Sequence, residues 1–268
     1  MKDIWTEIAT LNKRFNNLGI SRQIDFKKDY LYALITHSTA IEGSTLTERD
    51  TWMLLDEGIA TGERPLLHYK MNEDLKKAYD FIEIEAKKRA PITPTFLQQM
   101  NALVMNSTGS VYSTPSGAFD SSKGEWRRVG VTAGYGGPSY MSFLKIVPAI
   151  EELCKSVAEK QGVVTDTKGK YELSFNAHFN LVTIHPWADG NGRTSRLLMN
   201  YLQIYYNLFP TKIFKEDRVE YINVLIQSRE EGTTAPFIDF MAGQLKKSIE
   251  VEIARYGSSQ KGGFHLMF

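Results

Sequence analysis

Ile184-His185-Pro186-Trp187-Ala188-Asp189-Gly190-Asn191-Gly192-Arg193-Thr194-Ser195-Arg196-Leu197-Leu198-Met199 is the stretch on which the reading of this chain turns. Pro186 ends any helix that arrives at His185, because it has no amide hydrogen to donate and its ring collides with the preceding turn. Helical spacing resumes at Gly192 and runs to Asn207, so the loop delivers its groups to a helix N-terminus. Backbone N–H groups there are unpaired, and Gly190-Asn191-Gly192 lets the chain turn through positive φ so that several amides converge on one anion. Arg193 and Arg196 lie three apart on one helical face, where two guanidinium forks can grip further phosphate oxygens. Asp189 offers the hard oxygen that magnesium takes from protein while phosphates and waters complete its shell. His185, with an unperturbed pKa of roughly 6.5, can accept a proton near neutrality. Singly, each of these is an ordinary helix-end or turn residue. Their co-occurrence within the twelve residues from His185 to Arg196 defines a candidate phosphoryl-type transfer site acting on a polyphosphate.

Outward from that stretch, helical periodicity dominates. Ile4, Trp5, Ile8, Leu11 and Phe15 mark a first helix, and Phe26, Tyr30, Leu34, Ile35 and Ile41 a second. Thr47 with Asp50 reads as a capping box opening a third, which Gly58 closes. A longer stretch runs from Tyr69 to Lys87, and another begins near Thr95 after Pro91 and Pro94. Glycines and prolines break the pattern between Asn106 and Ser142, where Trp126, Val129, Val131, Tyr135 and Tyr140 predict a small β-hairpin around Ala133 to Pro138. Further helices are expected over Leu144 to Lys160, Lys170 to Ile184, Gly192 to Asn207, Arg218 to Glu230 and Pro236 to Tyr256. The fold class is therefore all-α with a small hairpin.

Composition narrows the function. At 268 residues and 42% hydrophobic, the chain can bury one sizeable core. Its 32 basic and 31 acidic residues are interspersed, which argues against nucleic acid or an anionic membrane as partner. Cys154 is the only cysteine, so no internal disulfide exists, and its place among Leu144, Val147, Ile150 and Val157 reads as a buried thiol. No apolar run is long enough to span a bilayer and the N-terminus lacks a signal-peptide core, so a cytoplasmic protein is expected.

The run from His185 to Arg196 resembles the signature of Fic-domain proteins: His, any, Phe, any, Asp or Glu, Gly, Asn, Gly, Arg, two of any kind, Arg. It departs at Trp187, where the family usually has Phe. The resemblance covers roughly Thr95 to Tyr256 and implies a helical Fic fold with a hairpin flap. It divides the chain into an N-terminal helical region, 1–60, a catalytic domain, 61–256, and a flexible tail, 257–268. It implies a protein adenylyltransferase that uses ATP and Mg2+: His185 deprotonates a target hydroxyl and Asp189 holds magnesium. The backbone of Gly190 to Gly192 with Asn191 binds the α and β phosphates, and Arg193 and Arg196 hold the outer ones. Gly124-Glu125-Trp126-Arg127 resembles the segment before the family's flap, so Trp126, Arg127, Val129 and Val131 are candidate target-binding residues, registering a peptide by strand addition. Tyr221 falls where relatives place the first of two tyrosines near adenine, with Ile222 in place of the second.

Ser38-Thr39-Ala40-Ile41-Glu42-Gly43 resembles the inhibitory motif of the same family. Ser38 and Glu42 are four apart on one helical face and Gly43 stops the helix, presenting a carboxylate that can pair with arginine in place of a phosphate oxygen. The resemblance implies Arg196 as its partner. His178, two turns before His185, reads as a core histidine, and His37 and His68 carry no motif. The implied partners are a target protein bearing a Ser, Thr or Tyr hydroxyl, the chain itself through self-modification, and a second copy as a homodimer. The same enzyme is a candidate to remove AMP as well, with Glu42 orienting a water; competing readings are transfer of another nucleotide such as UMP, and a nucleotide sensor without turnover.

Overall fold

The computed structural model describes residues 3–132 and 139–257. Among them the apolar stripes become ten α-helices and one short hairpin: α1 (Ile4–Asn17), α2 (Phe26–Ile41), α3 (Glu48–Glu57), α4 (Leu66–Lys87), α5 (Pro94–Val104), β1 (Val111–Thr114), β2 (Gly117–Asp120), α6 (Ile146–Val163), α7 (Thr167–Ile184), α8 (Asn191–Tyr205), α9 (Arg218–Glu230) and α10 (Ala235–Gly257). Boundaries follow local chemistry. Thr47 Oγ1 accepts from the Asp50 amide at 3.1 Å, and the Thr47 amide donates to Asp50 Oδ2 at 2.9 Å, completing the expected capping box of α3. Gly58 closes that helix at φ 70°. Thr93 caps α5 through the Phe96 amide, with Pro94 in its first turn, and Asp166 caps α7 through the Gly169 amide.

The axis of the molecule is α8, where every residue from Arg193 to Gln203 is buried. It packs against α7, α4, α5 and α2. A helix surrounded on all sides keeps polar residues only if each finds a partner. Tyr79 Oη donates to Asn200 Oδ1 at 2.7 Å, Asn200 Nδ2 donates to Gln203 Oε1 at 3.0 Å, and Gln203 Nε2 donates to Ser174 Oγ and Thr211 Oγ1, both at 3.0 Å. The second helix is nearly as enclosed: from Tyr32 to Thr39 each side chain is buried, so Ser38 belongs to the core, while Glu42 at the helix end keeps some exposure. Residues of α1, α2 and the downstream helices share one hydrophobic cluster.

The sequence reading missed one hairpin and misread one helix face, and two of its expectations fall on residues that are not described. The hairpin expected around Ala133 to Pro138 lies outside the described residues, although Thr132 and Ser139 bridge antiparallel beside it. A hairpin that periodicity missed pairs β1 with β2 in the register Val111↔Asp120 to Thr114↔Gly117. Its signal was available in two β-favouring residues, Val111 and Tyr112, followed by Pro115 and a Gly117 held at φ 107°. In α6 the buried face is Ile146, Ile150, Leu153, Cys154 and Val157, whereas Leu144 and Val147 are exposed. The helix begins at Ile146, and its inward stripe is set from there. The tail expected from 257 onward lies outside the described residues after Gly257.

Candidate active site

His185 leaves α7 in the left-handed region, φ 52° and ψ 60°, and Pro186 follows. The chain then drops Trp187 into the core, wholly buried. Its indole Nε1 donates to the Gly124 carbonyl at 3.0 Å and its ring lies 5.1 Å from that of Trp126, so the larger aromatic has both space and a hydrogen-bond partner. Asn191 clamps the loop from below. Its Oδ1 accepts from the Trp187 amide at 3.0 Å, and its Nδ2 donates to the Trp187 carbonyl at 2.9 Å. Gly190, at φ 79°, lets the chain enter α8 where a Cβ would stand 2.8 Å from both Asn101 Nδ2 and Met105 Sδ.

That turn leaves the amides of Asn191, Gly192 and Arg193 without a hydrogen-bond partner among the described residues, since the first helical bond of α8 is from the Thr194 amide to the Gly190 carbonyl. Three unpaired N–H groups at the positive end of a buried helix form an anion site. Arg196 stands one turn on, and its Nη1 is buried without a partner, as is Nε of Arg193. The Asp189 side chain is 61% exposed at the rim, with Oδ2 3.4 Å from Arg193 Nη2. Orphaned guanidinium hydrogens, open amides and one exposed carboxylate fit a magnesium-bound polyphosphate, with Asp189 as the residue to hold the metal.

The His185 ring stacks on Tyr140 with centroids 3.7 Å apart, and the Arg229 guanidinium lies over the other ring at 5.4 Å. His185 Nδ1 sits 3.4 Å from the Val182 carbonyl, which selects the tautomer with Nδ1 protonated and leaves Nε2 as the acceptor. Burial pushes its pKa down to about 4, helped by Arg127 and Arg229 and opposed by the bond to Val182 and by Glu42. The imidazole is a neutral acceptor throughout the physiological range.

Glu42 lies across the anion site. Its Oε1 accepts from Arg196 Nη2 at 2.6 Å, and a Cβ built on Gly192 would fall 2.3 Å from the same oxygen. Ser38 holds the other edge of the guanidinium: Arg196 Nε donates to Ser38 Oγ at 2.8 Å and Nη2 to the Ser38 carbonyl at 2.9 Å. Gly43 turns the chain away at φ 99°. Burial alone raises the Glu42 carboxyl pKa, but Arg196, with Arg193 and Arg218 beyond it, more than offsets this and holds it below the usual carboxylate range.

Most residues singled out from sequence converge, with three departures. Arg193 and Arg196 do not act as a pair here: Arg193 reaches toward the Val104 carbonyl, Met105 Sδ and Asp189, while Arg196 turns to α2. The Asn191 side chain is spent on the loop, leaving only its amide for phosphate. Arg127 is no surface residue. It is 1% exposed and donates to the carbonyls of His185, Val129 and Met141 at 2.8, 2.7 and 2.5 Å, while its amide donates to the Pro186 carbonyl at 3.0 Å. It ties the histidine loop to the segment after it, because a buried guanidinium must spend its hydrogens on fixed acceptors. Trp126 is packed against Trp187, and Val129 and Val131 keep some exposure. Tyr221 is 1% exposed, with its hydroxyl 2.9 Å from His178 Nε2 and its ring beside those of Phe237 and Phe240. His178 is a core histidine, kept neutral by burial and by Arg196.

Sequence reasoning missed Tyr140, Asn101 and Arg218. Asn101 Nδ2 donates to Thr194 Oγ1 at 3.0 Å and to the Asp189 carbonyl at 3.3 Å. Arg218 Nε donates to the Ile41 carbonyl at 2.7 Å, anchoring the end of α2. None of the three had a local signal, since each meets the site only through folding.

Residues 91–203 match the Fic/DOC family. It is similar to a protein adenylyltransferase Fic of Drosophila grimshawi, 26% identical over 226 residues, and to that of Drosophila melanogaster, 27% identical. Each alignment takes in 84% of this chain but only 43% and 42% of the respective relative, so the chain spans less than half the length of these proteins. Among solved structures, a Fic-domain-containing signalling protein from Bacteroides thetaiotaomicron shares the fold at TM-score 0.77 and 23% identity, over 97% of this chain and all of that one. Fic-1 from C. elegans does so at 0.73 and 20%, over 96% of this chain and 73% of that one. No helix among the described residues is long and apolar enough to cross a membrane.

Proposed function

We propose that the chain is a protein adenylyltransferase of the cytoplasm that moves AMP from ATP onto a Ser, Thr or Tyr hydroxyl of a target protein, itself included, and is held in check by Glu42. The observation that carries this reading is the set of unpaired amides and orphaned guanidinium hydrogens at the head of α8, beside a neutral histidine. The relatives' name, protein adenylyltransferase, supports the same assignment.

The helix N-terminus and Arg196 hold the phosphates, and Arg193 holds Asp189 in place. Magnesium, on Asp189, would neutralise charge on the leaving group. The target hydroxyl attacks the α phosphorus while His185 Nε2 takes its proton. The bond from that phosphorus to the bridging oxygen breaks, pyrophosphate departs, and AMP remains on the target oxygen. Charge accumulates on the departing oxygens, where the cations and amides stand.

Glu42 competes for the same donors. With its carboxylate on Arg196 and against Gly192, an outer phosphate is displaced and the α phosphorus is misaligned. Glu42→Gly is expected to raise self-labelling from labelled Mg-ATP by about tenfold or more, since each 1.4 kcal/mol of lost competition is tenfold. His185→Ala in that background is expected to abolish it. Equal labelling of wild type and Glu42→Gly would reject the inhibitory role. Saturable ATP binding with no adenylyl mass gain in either would instead favour a nucleotide sensor, and labelling from UTP alone would reassign the nucleotide.

A further inference from the structure

A cavity of about 500 Å³ lies away from the histidine loop, between α2 and the body of the molecule. None of the residues from His185 to Arg196 lines it. Phe26, Tyr30, Leu31 and Leu34 form one wall, and Tyr79 and Ala86 of α4 stand opposite. Its size is that of sites that hold ligands of ten to a few tens of atoms, and its walls are apolar and aromatic as such sites are.

The rim decides the chemistry. Lys27, Lys87 and Arg89 border the opening with a single carboxylate, Glu83. Glu83 already pairs with Lys27 and, at 2.8 Å, with Lys87. Arg89 has no acidic partner among the described residues; its guanidinium rests over the Tyr205 ring at 5.0 Å, and its backbone is held at φ 54°. An apolar chamber with an unspent, pre-oriented guanidinium at its mouth suits a molecule with an aromatic or aliphatic body and one anionic head.

The position of that chamber on α2 adds a consequence. Phe26, Tyr30, Leu34, Ser38 and Glu42 recur every fourth residue and so share one face of the helix. The first three meet the cavity, Ser38 and Glu42 meet Arg196, and a narrow second space lined by Leu34, Tyr79, Ser38 and Arg196 lies between. A ligand seated in the cavity touches both α2 and α4, and therefore binds best when α2 is docked.

We propose that this cavity is a binding site for a small amphiphilic carboxylate, and that its occupancy locks α2 in place with Glu42 on Arg196. The ligand stabilises the docked state by mass action, and Mg-ATP, needing the donors that Glu42 holds, is bound less tightly in its presence. The second half of the proposal rests on the phosphate site described above; the first half stands without it.

Isothermal titration of the full chain with 2-naphthoate, and with its neutral counterpart 2-naphthylmethanol, tests the site. One saturable site for naphthoate is expected in wild type. Arg89→Gln should weaken naphthoate about tenfold and leave the alcohol unchanged, and Leu31→Trp, which fills the chamber, should abolish both. No saturable heat in wild type, or wild-type binding by Arg89→Gln, overturns the site, and that surface variant decides the matter if Leu31→Trp fails to fold. Mg-ATP titrated with and without saturating naphthoate tests the coupling. Severalfold weakening in wild type and none in Glu42→Gly is expected; equal weakening in both, or none in either, overturns it. Should neither protein bind Mg-ATP at all, the nucleotide reading and the coupling both fall, while the naphthoate isotherms still decide the site.

Discussion

Glu42 carries a negative charge into a space lined with hydrogen-bond donors, and although burial raises its carboxyl pKa, Arg196 beside it holds that pKa below the usual carboxylate range. A carboxylate with a lowered folded-state value contributes stability above its unfolded pKa and loses it only as pH falls through the folded one. Mild acid therefore does not release it. His185 is also depressed, to about 4, by burial and by the charges of Arg127 and Arg229, with Glu42 pulling the other way and Tyr140 covering one face. For a base, that lowering means neutrality in the fold at pH values where the unfolded chain is protonated, so its contribution to stability is full above roughly 6.5 and lost as pH falls toward about 4. The transfer rate of Glu42→Gly should accordingly show no limb near pH 6.5 and decline only toward pH 4. A half-maximal rate at pH 6.5 would mean that the imidazole is far better solvated than its stacking on Tyr140 implies.

At the scale of elements, two contacts decide how α2 and the histidine loop are held. Arg218 anchors α2 through the Ile41 carbonyl. Arg218→Ala removes one charge-assisted bond at the end of the helix, and by the roughly 1.5–3 kcal/mol such bonds contribute it should release part of the inhibition proposed for Glu42. The expected result is self-labelling between that of wild type and Glu42→Gly, and labelling at the wild-type level would show that α2 is held without it. Arg127 is the tie between α7's end and the segment that follows. Arg127→Ala strands three carbonyl acceptors in a buried setting and should cost on the order of 3 kcal/mol in chemical denaturation. A loss below about 0.5 kcal/mol, the range of ordinary surface changes, would place this side chain in solvent and restore it as a target contact.

For the whole molecule, the buried pair Lys212 and Glu252, 3.4 Å apart and at most 2% exposed, joins the segment after α8 to α10. The Lys212 ammonium also lies 5.2 Å from the Tyr30 ring centre, so the pair backs directly onto α2. Removing one partner leaves an uncompensated buried charge, and Lys212→Met should destabilise by about 3–5 kcal/mol. Lys212→Met with Glu252→Leu should recover most of that, because two apolar side chains need no compensation. A double variant as unstable as the single one would show that the pair's geometry, rather than its charge balance, holds the two elements together.

The run from His185 to Arg196 was legible because its groups act within one turn of chain: a proline stop, a glycine pair and a helix start are local events. For the same reason the capping box at Thr47 and the glycine stop at Gly58 could be read directly, while several helix ends fell a few residues from where periodicity put them. Arg127, read as a surface contact for the target, turned out to be internal, because its acceptors come from the carbonyls of His185, Val129 and Met141, which only folding gathers. Tyr221 is buried beside Phe237 and Phe240, neighbours that likewise meet it only in the folded chain.

By itself, then, the sequence determined the helices, the turn that opens α8 with unpaired amides and the chemical kinds of its side chains, since covalent spacing and local hydrogen bonding dictate them. Only the tertiary structure decided that Arg196 spends its guanidinium on Ser38 and Glu42, 158 and 154 residues away, that Tyr140 covers His185, and that α2 lies in the core with a cavity beneath it. Those outcomes depend on which distant surfaces pack together, and no local pattern encodes a contact whose two halves meet only when the core closes.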